Sequence, residues 1–182
     1  MARRAGQTPL TAERIFDSAL AIVDHEGLDA LSMRRLAKAL DVDPMAIYHH
    51  VPHKQALLHG LVARVFEHGL PDELGSAGWQ AQLRTWAEAY RALALKHPNL
   101  VLRIVGDPAA AAIAAHRAGR PLASRGDDRA MGVLADYVNG FVLGEASGAM
   151  DRATADAQFA FGVDVILAGL SRRRRTGRPS ST

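Results

Sequence analysis

Cysteine is absent from the 182 residues, which removes disulfides, thiolate nucleophiles and cysteine-ligated zinc together and fits a reducing cytoplasm, the expected location. Aromatic residues make up only 5 %, which argues against a wide cavity walled by many rings. No run of apolar residues is read as long enough to span a bilayer, and the basic start MARRAGQTP lacks the apolar stretch of a signal peptide. A soluble protein with no membrane partner is therefore expected. No stretch alternates with period two, so no strand is expected and the fold class is all-α. Also missing are a phosphate-cradling glycine loop, a nucleophile elbow, an HExxH pair and paired-carboxylate spacing. GFVLGEASG lies inside a helical pattern without the strand that a nucleotide loop needs. Neither an enzyme nor a cofactor is expected.

Surplus positive charge is missing as well, once its position is considered. The net charge is +3, but Arg172, Arg173, Arg174, Arg175 and Arg178 crowd the end, and removing those five leaves about −2. The tail is expected to be a disordered, solvated end. Any nucleic-acid surface must come from where Arg3, Arg4, Arg34, Arg35, Lys38 and Lys54 are placed.

What the chain does contain is SMRRLAKALDVDPMAIYHHVPHK, Ser32 to Lys54. Leu36, Ala37 and Leu40 have helical spacing behind Ser32, an N-cap residue type. Asp41 and Val42 make a turn. Asp43 and Pro44 then start a second helix, the carboxylate capping and the proline sitting where a missing N–H costs nothing. Only Ile47 and the preceding Val42 are plainly apolar enough for a core, so a helix this short needs another reason to exist. A helix-turn-helix that reads DNA supplies one. Arg35 and Lys38 are assigned to a solvated face. His49, His50, His53 and His59 could suggest a metal site, but neighbouring histidines diverge on a helix and no matched carboxylate completes a sphere, so no metal is expected.

Around this segment the periodicity predicts a helix from Thr11 to Glu26 on Ile15, Ala19, Ile22 and Val23, ended by Gly27. Another starts near Lys54 on Leu57, Leu58, Leu61, Val62, Val65 and Phe66. Gly69 to Gly78 marks a boundary, giving a DNA-binding domain over 9–70 and a second domain over 71–182. The second domain should hold helices over Trp79 to Lys96, Leu100 to Val105, Pro108 to Arg117, Arg129 to Ala149 and Thr154 to Arg172, with GRPLASRGDD as a loop. Gly140, Gly144 and Gly148 recur every fourth residue at about 0.5–1 kcal/mol each relative to alanine, which calls for a helix lying close against them. With Gly162, Ile166 and Gly169 of the last helix they are assigned to an internal helix pair that also forms a homodimer contact. For a ligand pocket the candidates are Trp79, Trp86, Tyr90, Met131, Tyr137, Phe141 and Met150, with Arg103, His97, His116, Asn139 and Glu145 as polar partners. Asn139 and Glu145 stand out, because polar groups on an apolar helix need partners and a ligand could supply one.

LTAERIFDSALAIVDHEGLDALSMRRLAKALDVDPMAIYHHVPHKQALL resembles the DNA-binding domain of the tetracycline-repressor (TetR) family of bacterial transcription regulators, over roughly residues 10 to 66. FAFGVDVILAGL is similar, less specifically, to the C-terminal ligand domains of that family. The resemblance implies a three-helix head joined by a shared fourth helix to a C-terminal ligand-binding and dimerisation bundle. It also implies a homodimer on double-stranded DNA with a palindromic operator, and a repressor released by a small, largely apolar molecule. By position Pro44, Met45, Ala46, Tyr48, His49 and His50 match the recognition helix, Arg34 a base- or phosphate-contacting arginine, and Lys54 a phosphate-contacting lysine. Asp41 stands where the family usually has glycine, and Pro44 and Met45 stand where relatives often carry polar base readers. A helix-turn-helix factor with no small-molecule ligand is the alternative.

Overall fold

The computed structural model describes residues 9–71, 77–101, 107–119, 128–146 and 151–176. Every regular element among them is helical: α1 Ala12–Glu26, a 3-10 turn Leu28–Ala30, α2 Met33–Leu40, α3 Pro44–Tyr48, α4 Lys54–Gly69, α5 Trp79–Lys96, α6 Pro108–Gly119, α7 Asp128–Ala146 and α8 Arg152–Thr176. Residues 98–101 add a helical turn after α5.

The caps explain most of the boundaries. Thr11 accepts from the Arg14 N–H and starts α1, and Gly27, at φ 84°, ends it. Asp151 starts α8 earlier than periodicity predicts, because its Oδ1 accepts from the Thr154 N–H at 3.0 Å. At its other end α8 runs on to Thr176. The expectation of a disordered tail from Arg172 is corrected there: with no glycine or proline before Gly177, nothing local stops the helix, and arginine is a good helix former. The predicted segment Leu100 to Val105 is helical as far as 101, and 102–106 lie outside the described residues. So do 120–127 of GRPLASRGDD and 147–150 at the predicted end of α7.

One apolar core runs from Ile15 of α1 to Leu167 of α8. Its centre is α4, with Leu57, Leu58, Leu61, Val62, Val65 and Phe66 all buried, each contributing roughly 1.5–3 kcal/mol. This helix packs on α1, on α5 and most extensively on α6, so it belongs to both halves. Its crossing with α1 is close, since a methyl added at Gly60 would run into the Phe16 ring.

One expectation about the membrane is corrected. Arg152–Arg172 of α8 has a mean hydropathy of 1.3 and is long and apolar enough, by length and composition, to cross a membrane. Asp156 and Asp164 break the written sequence into short apolar blocks, but the alanine, glycine and aliphatic residues between them keep the average high. Only 22 % of that window is buried within the chain. The two aspartates reach α5, where Arg91 and Arg84 pair with them.

Candidate nucleic-acid interface

The α2-turn-α3 unit is built by local chemistry. Ser32 Oγ accepts from the Arg35 N–H at 3.1 Å, and α2 buries Met33, Leu36, Ala37 and Leu40. Asp41 takes the left-handed conformation, φ 53° and ψ 49°, and its N–H reaches the Ala37 and Lys38 carbonyls. Aspartate tolerates this region better than most residues, so the turn forms without glycine. Asp43 Oδ1 accepts from the Met45 N–H at 2.8 Å, and Pro44 follows as first helical residue.

The second helix, α3, spans five residues and buries only Ile47. Val51, just after it, is buried too, whereas Val42 is half-buried. Met45 is 63 % exposed and Tyr48 42 %, and His49 and His50 are exposed beyond them. Pro44 and Ala46 are half-buried on the same short helix. Two large apolar side chains held in water on so small an element point to a surface that is covered in use.

Neighbouring cations separate into two states. Arg35 is tied to Glu26 by two bonds, one of them Nε to Oε2 at 3.2 Å. That pairing, chiefly the Arg35 hydrogen bond, holds the Glu26 carboxyl below its ordinary value and Arg35 above its own. So Arg35 is committed to α1 rather than merely solvated. Arg64 is held by Asp17 at 3.0 Å. By contrast the side chains of Arg34, Tyr48, His49, His50 and Lys54 make no hydrogen bond or ion pair among the described residues. These donors lie on α2, at α3 and just after it, and at the start of α4.

His53 is the contributor that sequence reasoning missed. Its Nδ1 accepts from the Ala56 N–H at 3.1 Å and caps α4, fixing the helix start that carries Lys54. Histidine is outside the usual capping set, so only the position just before Lys54 signals the role.

The C-terminal candidates do not converge on one site. Trp86 and Tyr90 are buried, with ring centroids 5.2 Å apart, and Tyr90 lies edge-on to Phe66 of α4. Tyr90 Oη donates to Asn139 Oδ1 at 2.5 Å, and burial pushes its phenol up to about 12 against the pull of that bond. Arg91 meets Glu145 with two bonds, 2.9 and 2.7 Å, and Asp156 at 2.7 Å. It also lies 4.8 Å over the Phe159 ring. The partners that the sequence left to a ligand are therefore Tyr90 for Asn139 and Arg91 for Glu145. Tyr137 stacks on Phe159 and packs beside Phe141. His97 turns to α1 and pairs with Asp24 at 2.9 Å. His116 is exposed and lines an open groove of about 530 Å³ between α4 and α6, with His59, Gly60, Ala63, Ala112, Ile113 and Arg117. Arg103 and Met150 lie outside the described residues.

The glycines also divide. A methyl at Gly162 would strike the Tyr137 ring, so this residue serves the internal contact of α7 with α8. At Gly140, Gly144 and Gly169 an added methyl would meet nothing within 4 Å among the described residues. This corrects the expectation that another helix of the same chain lies against them; the α7–α8 pair closes through Tyr137, Phe141 and Phe159 instead. Gly148 lies outside the described residues, and Ile166 is half-buried at the core edge. On the open side Val133, Phe161 and Val165 are 51 %, 70 % and 55 % exposed.

The family model for bacterial regulatory proteins, tetR family, matches residues 15–61. An HTH-type transcriptional repressor, DrrR1 of Streptomyces coeruleorubidus, is 39 % identical over 99 residues, 54 % of this chain and 37 % of that protein. The chain thus aligns with well under half the length of this relative. An uncharacterized HTH-type transcriptional regulator of Mycobacterium tuberculosis, Rv0681, is 30 % identical over 95 % of this chain and 87 % of its own. Among solved structures, a TetR variant from Acinetobacter baumannii AYE in complex with minocycline superposes with a TM-score of 0.75 at 29 % identity, covering 91 % of this chain and 99 % of that one. BioQ with its double-stranded DNA operator gives 0.70 at 28 % identity, covering 90 % and 99 %.

Proposed function

Because the chain belongs to the tetR family of bacterial regulatory proteins, we propose that this transcriptional regulator is a cytoplasmic homodimeric repressor, released from a palindromic operator by a small, largely apolar molecule. Residues 9–70 are its DNA-binding head and 71–182 its ligand-binding and dimerisation half, with α4 shared. The observation that carries this is the pairing state of the head: Arg35 and Arg64 are tied into ion pairs, while Arg34 and Lys54 make none among the described residues and Met45 and Tyr48 of α3 stay exposed.

Each group has a role that its chemistry fits. Lys54 and the Tyr48 hydroxyl donate to phosphate oxygens and set the register, Arg34 pairs with guanine acceptors or a phosphate, and Ala46 rests on a thymine methyl. His49 and His50 extend the donor surface, and Pro44 and Met45 contribute apolar contact. Dimerisation uses the open side of α7 and α8, Gly140, Gly144, Ile166 and Gly169 with Val133, Phe161 and Val165, where two chains approach closely. Two heads must meet half-sites about 34–36 Å apart. Release is a change in that separation. Asp107 caps α6 through the Ala109 and Ala110 N–H groups and accepts from Gln55 of α4 at 2.6 Å, so a displacement of α6 moves α4. The effector enters the open groove between α4 and α6 that His116 lines.

A selection of bound sequences from random DNA tests this. The chain should enrich a palindrome with half-sites one helical turn apart, and Tyr48→Ala or Lys54→Ala should weaken binding about tenfold. Unchanged binding in both variants would discard the interface. A second reading, a factor with no small-molecule effector, is favoured by the internal partners of Asn139 and Glu145. A thermal-shift screen with and without operator separates the two: a compound that stabilises the protein and releases DNA supports the sensor, and none from a broad library supports the second reading.

A further inference from the structure

Three polar side chains among the described residues are almost wholly withdrawn from solvent: Gln82, His97 and Asp107. Two of them reach from the C-terminal half into the head. Asp107 does so through α4, as above. His97 takes a separate route, to α1.

His97 ends α5, its own N–H bonded to the Leu93 carbonyl, with 6 % of its surface exposed. Its ring Nδ1 stands 3.0 and 2.9 Å from the two carboxylate oxygens of Asp24, in the last turn of α1. A carboxylate only accepts, so Nδ1 carries the proton and donates. Two residues on, Asn99 Nδ2 donates at 2.9 Å to the Val23 carbonyl. That carbonyl also receives the Gly27 N–H that closes α1. One helical turn of the C-terminal half thus holds consecutive residues at the end of α1, one by side chain and one by backbone.

This grip is separate from the apolar face of α1, where Ile15, Ala19, Ile22 and Val23 are buried in the core. A buried polar group stabilises only when bonded, and it penalises every orientation in which the bond is broken. Two such bonds at one helix end therefore act on direction. Beyond that end lie Gly27 and then α2 with Arg34, so the angle of α1 is carried into the DNA-contacting unit.

We propose, resting on the dimeric operator-binding reading above, that His97 and Asn99 are positioning residues for DNA binding. They grip the C-terminal end of α1, fix the angle at which each head leaves the C-terminal half, and so set the half-site spacing that the dimer accepts. This connection is independent of the α4–α6 contact.

The test uses the full chain and the palindrome it selects from random DNA, the same site with one or two base pairs added or removed between half-sites, and a single half-site. Wild type should lose about 100-fold in affinity when spacing changes, because simultaneous engagement is lost. His97→Ala/Asn99→Ala should bind the best site about tenfold more weakly while its affinities across all spacings converge to within about threefold. Its half-site affinity should stay at the wild-type value. Asn99→Ala alone, which breaks a single bond, should shift the profile the same way by less. Asp24→Asn, which keeps an acceptor for the His97 proton, should recover most of the discrimination lost in Asp24→Ala. A wild-type spacing profile in the double variant, whatever its melting temperature, overturns the proposal. So does an equal loss on half-site and full site, which would locate the damage in the head itself. A wild-type chain indifferent to spacing overturns the dimeric operator reading and the proposal with it.

Discussion

Replacing Arg91 tests what holds α5 to α7 and α8. Its side chain is 12 % exposed and meets Glu145, 11 % exposed, in a two-bond pair. Arg91→Met keeps most of the stem packing but leaves Glu145 unpaired. Leaving one charge of such a pair inside costs about 3–5 kcal/mol. The other losses are smaller: Asp156 is 59 % exposed, so its pair is worth at most about 1 kcal/mol, and the cation over Phe159 about 0.5–1 kcal/mol. Against a total stability of about 5–15 kcal/mol, Arg91→Met should lose about 3–5 kcal/mol in urea unfolding followed by circular dichroism at fixed protein concentration. The double variant Arg91→Met/Glu145→Leu, which removes both charges, should recover to within about 1 kcal/mol of wild type. A loss under about 1 kcal/mol in the single variant would mean that Glu145 simply turns into water. If the double variant were as unstable as the single one, packing rather than charge would be the cause, and the reasoning would be refuted either way.

The Ala110 N–H, with Gln55, His59 and the Ala109 N–H, holds the Asp107 carboxyl below its ordinary 3.8 despite partial burial. The folded value being the lower, this contribution is complete above the ordinary value and is lost as pH falls through the depressed one; Asp107→Asn should remove that share of the acid limb in urea midpoints. Asp41→Gly should raise stability by up to about 1 kcal/mol in thermal unfolding, since Asp41 sits at φ 53° where glycine has no steric penalty; a loss would show that the Asp41 side chain supports the turn. Phe161→Glu/Val165→Glu should turn a dimer into a folded monomer by sedimentation at micromolar concentration, because both side chains are exposed within one chain; an unchanged dimer would move the interface elsewhere.

Helix starts built from ordinary capping residues were readable in the sequence: Ser32 and Asp43 each bond an N–H of the first turn, as their positions predict. The same rule failed at His53, whose imidazole is an uncommon cap; at Asp151 it holds, and it is periodicity that starts α8 too late. The donors of the head were readable because they lie within one short segment. The C-terminal pairings were not, since Tyr90 with Asn139 and Arg91 with Glu145 join residues 49 and 54 positions apart on different helices. Nothing local distinguishes Glu145 with an arginine partner from Glu145 awaiting a ligand. Gly162 shows the same limit. Its place in a glycine series suggests a partner helix, and only the packed chain shows the Tyr137 ring filling the space.

Arg34 and Arg35 show why a charge count could not have found the interface. They are adjacent on α2, identical in charge, and would be equal in any net-charge argument. One helical position apart, their side chains diverge by about 100°. Arg35 is carried toward α1 and Glu26, while Arg34 remains exposed with no such acid paired to it among the described residues. Pairing also decides which cations remain: Glu26, Glu13 and Asp17 neutralise Arg35 and Arg64 on the α1 side, while Arg34 and Lys54 keep no such pair among the described residues. A surface made this way contributes a modest salt-dependent attraction, because few phosphates are neutralised, and must draw discrimination from placement. That in turn makes the angle of the head the quantity the fold has to control, which is where the grip on α1 acts.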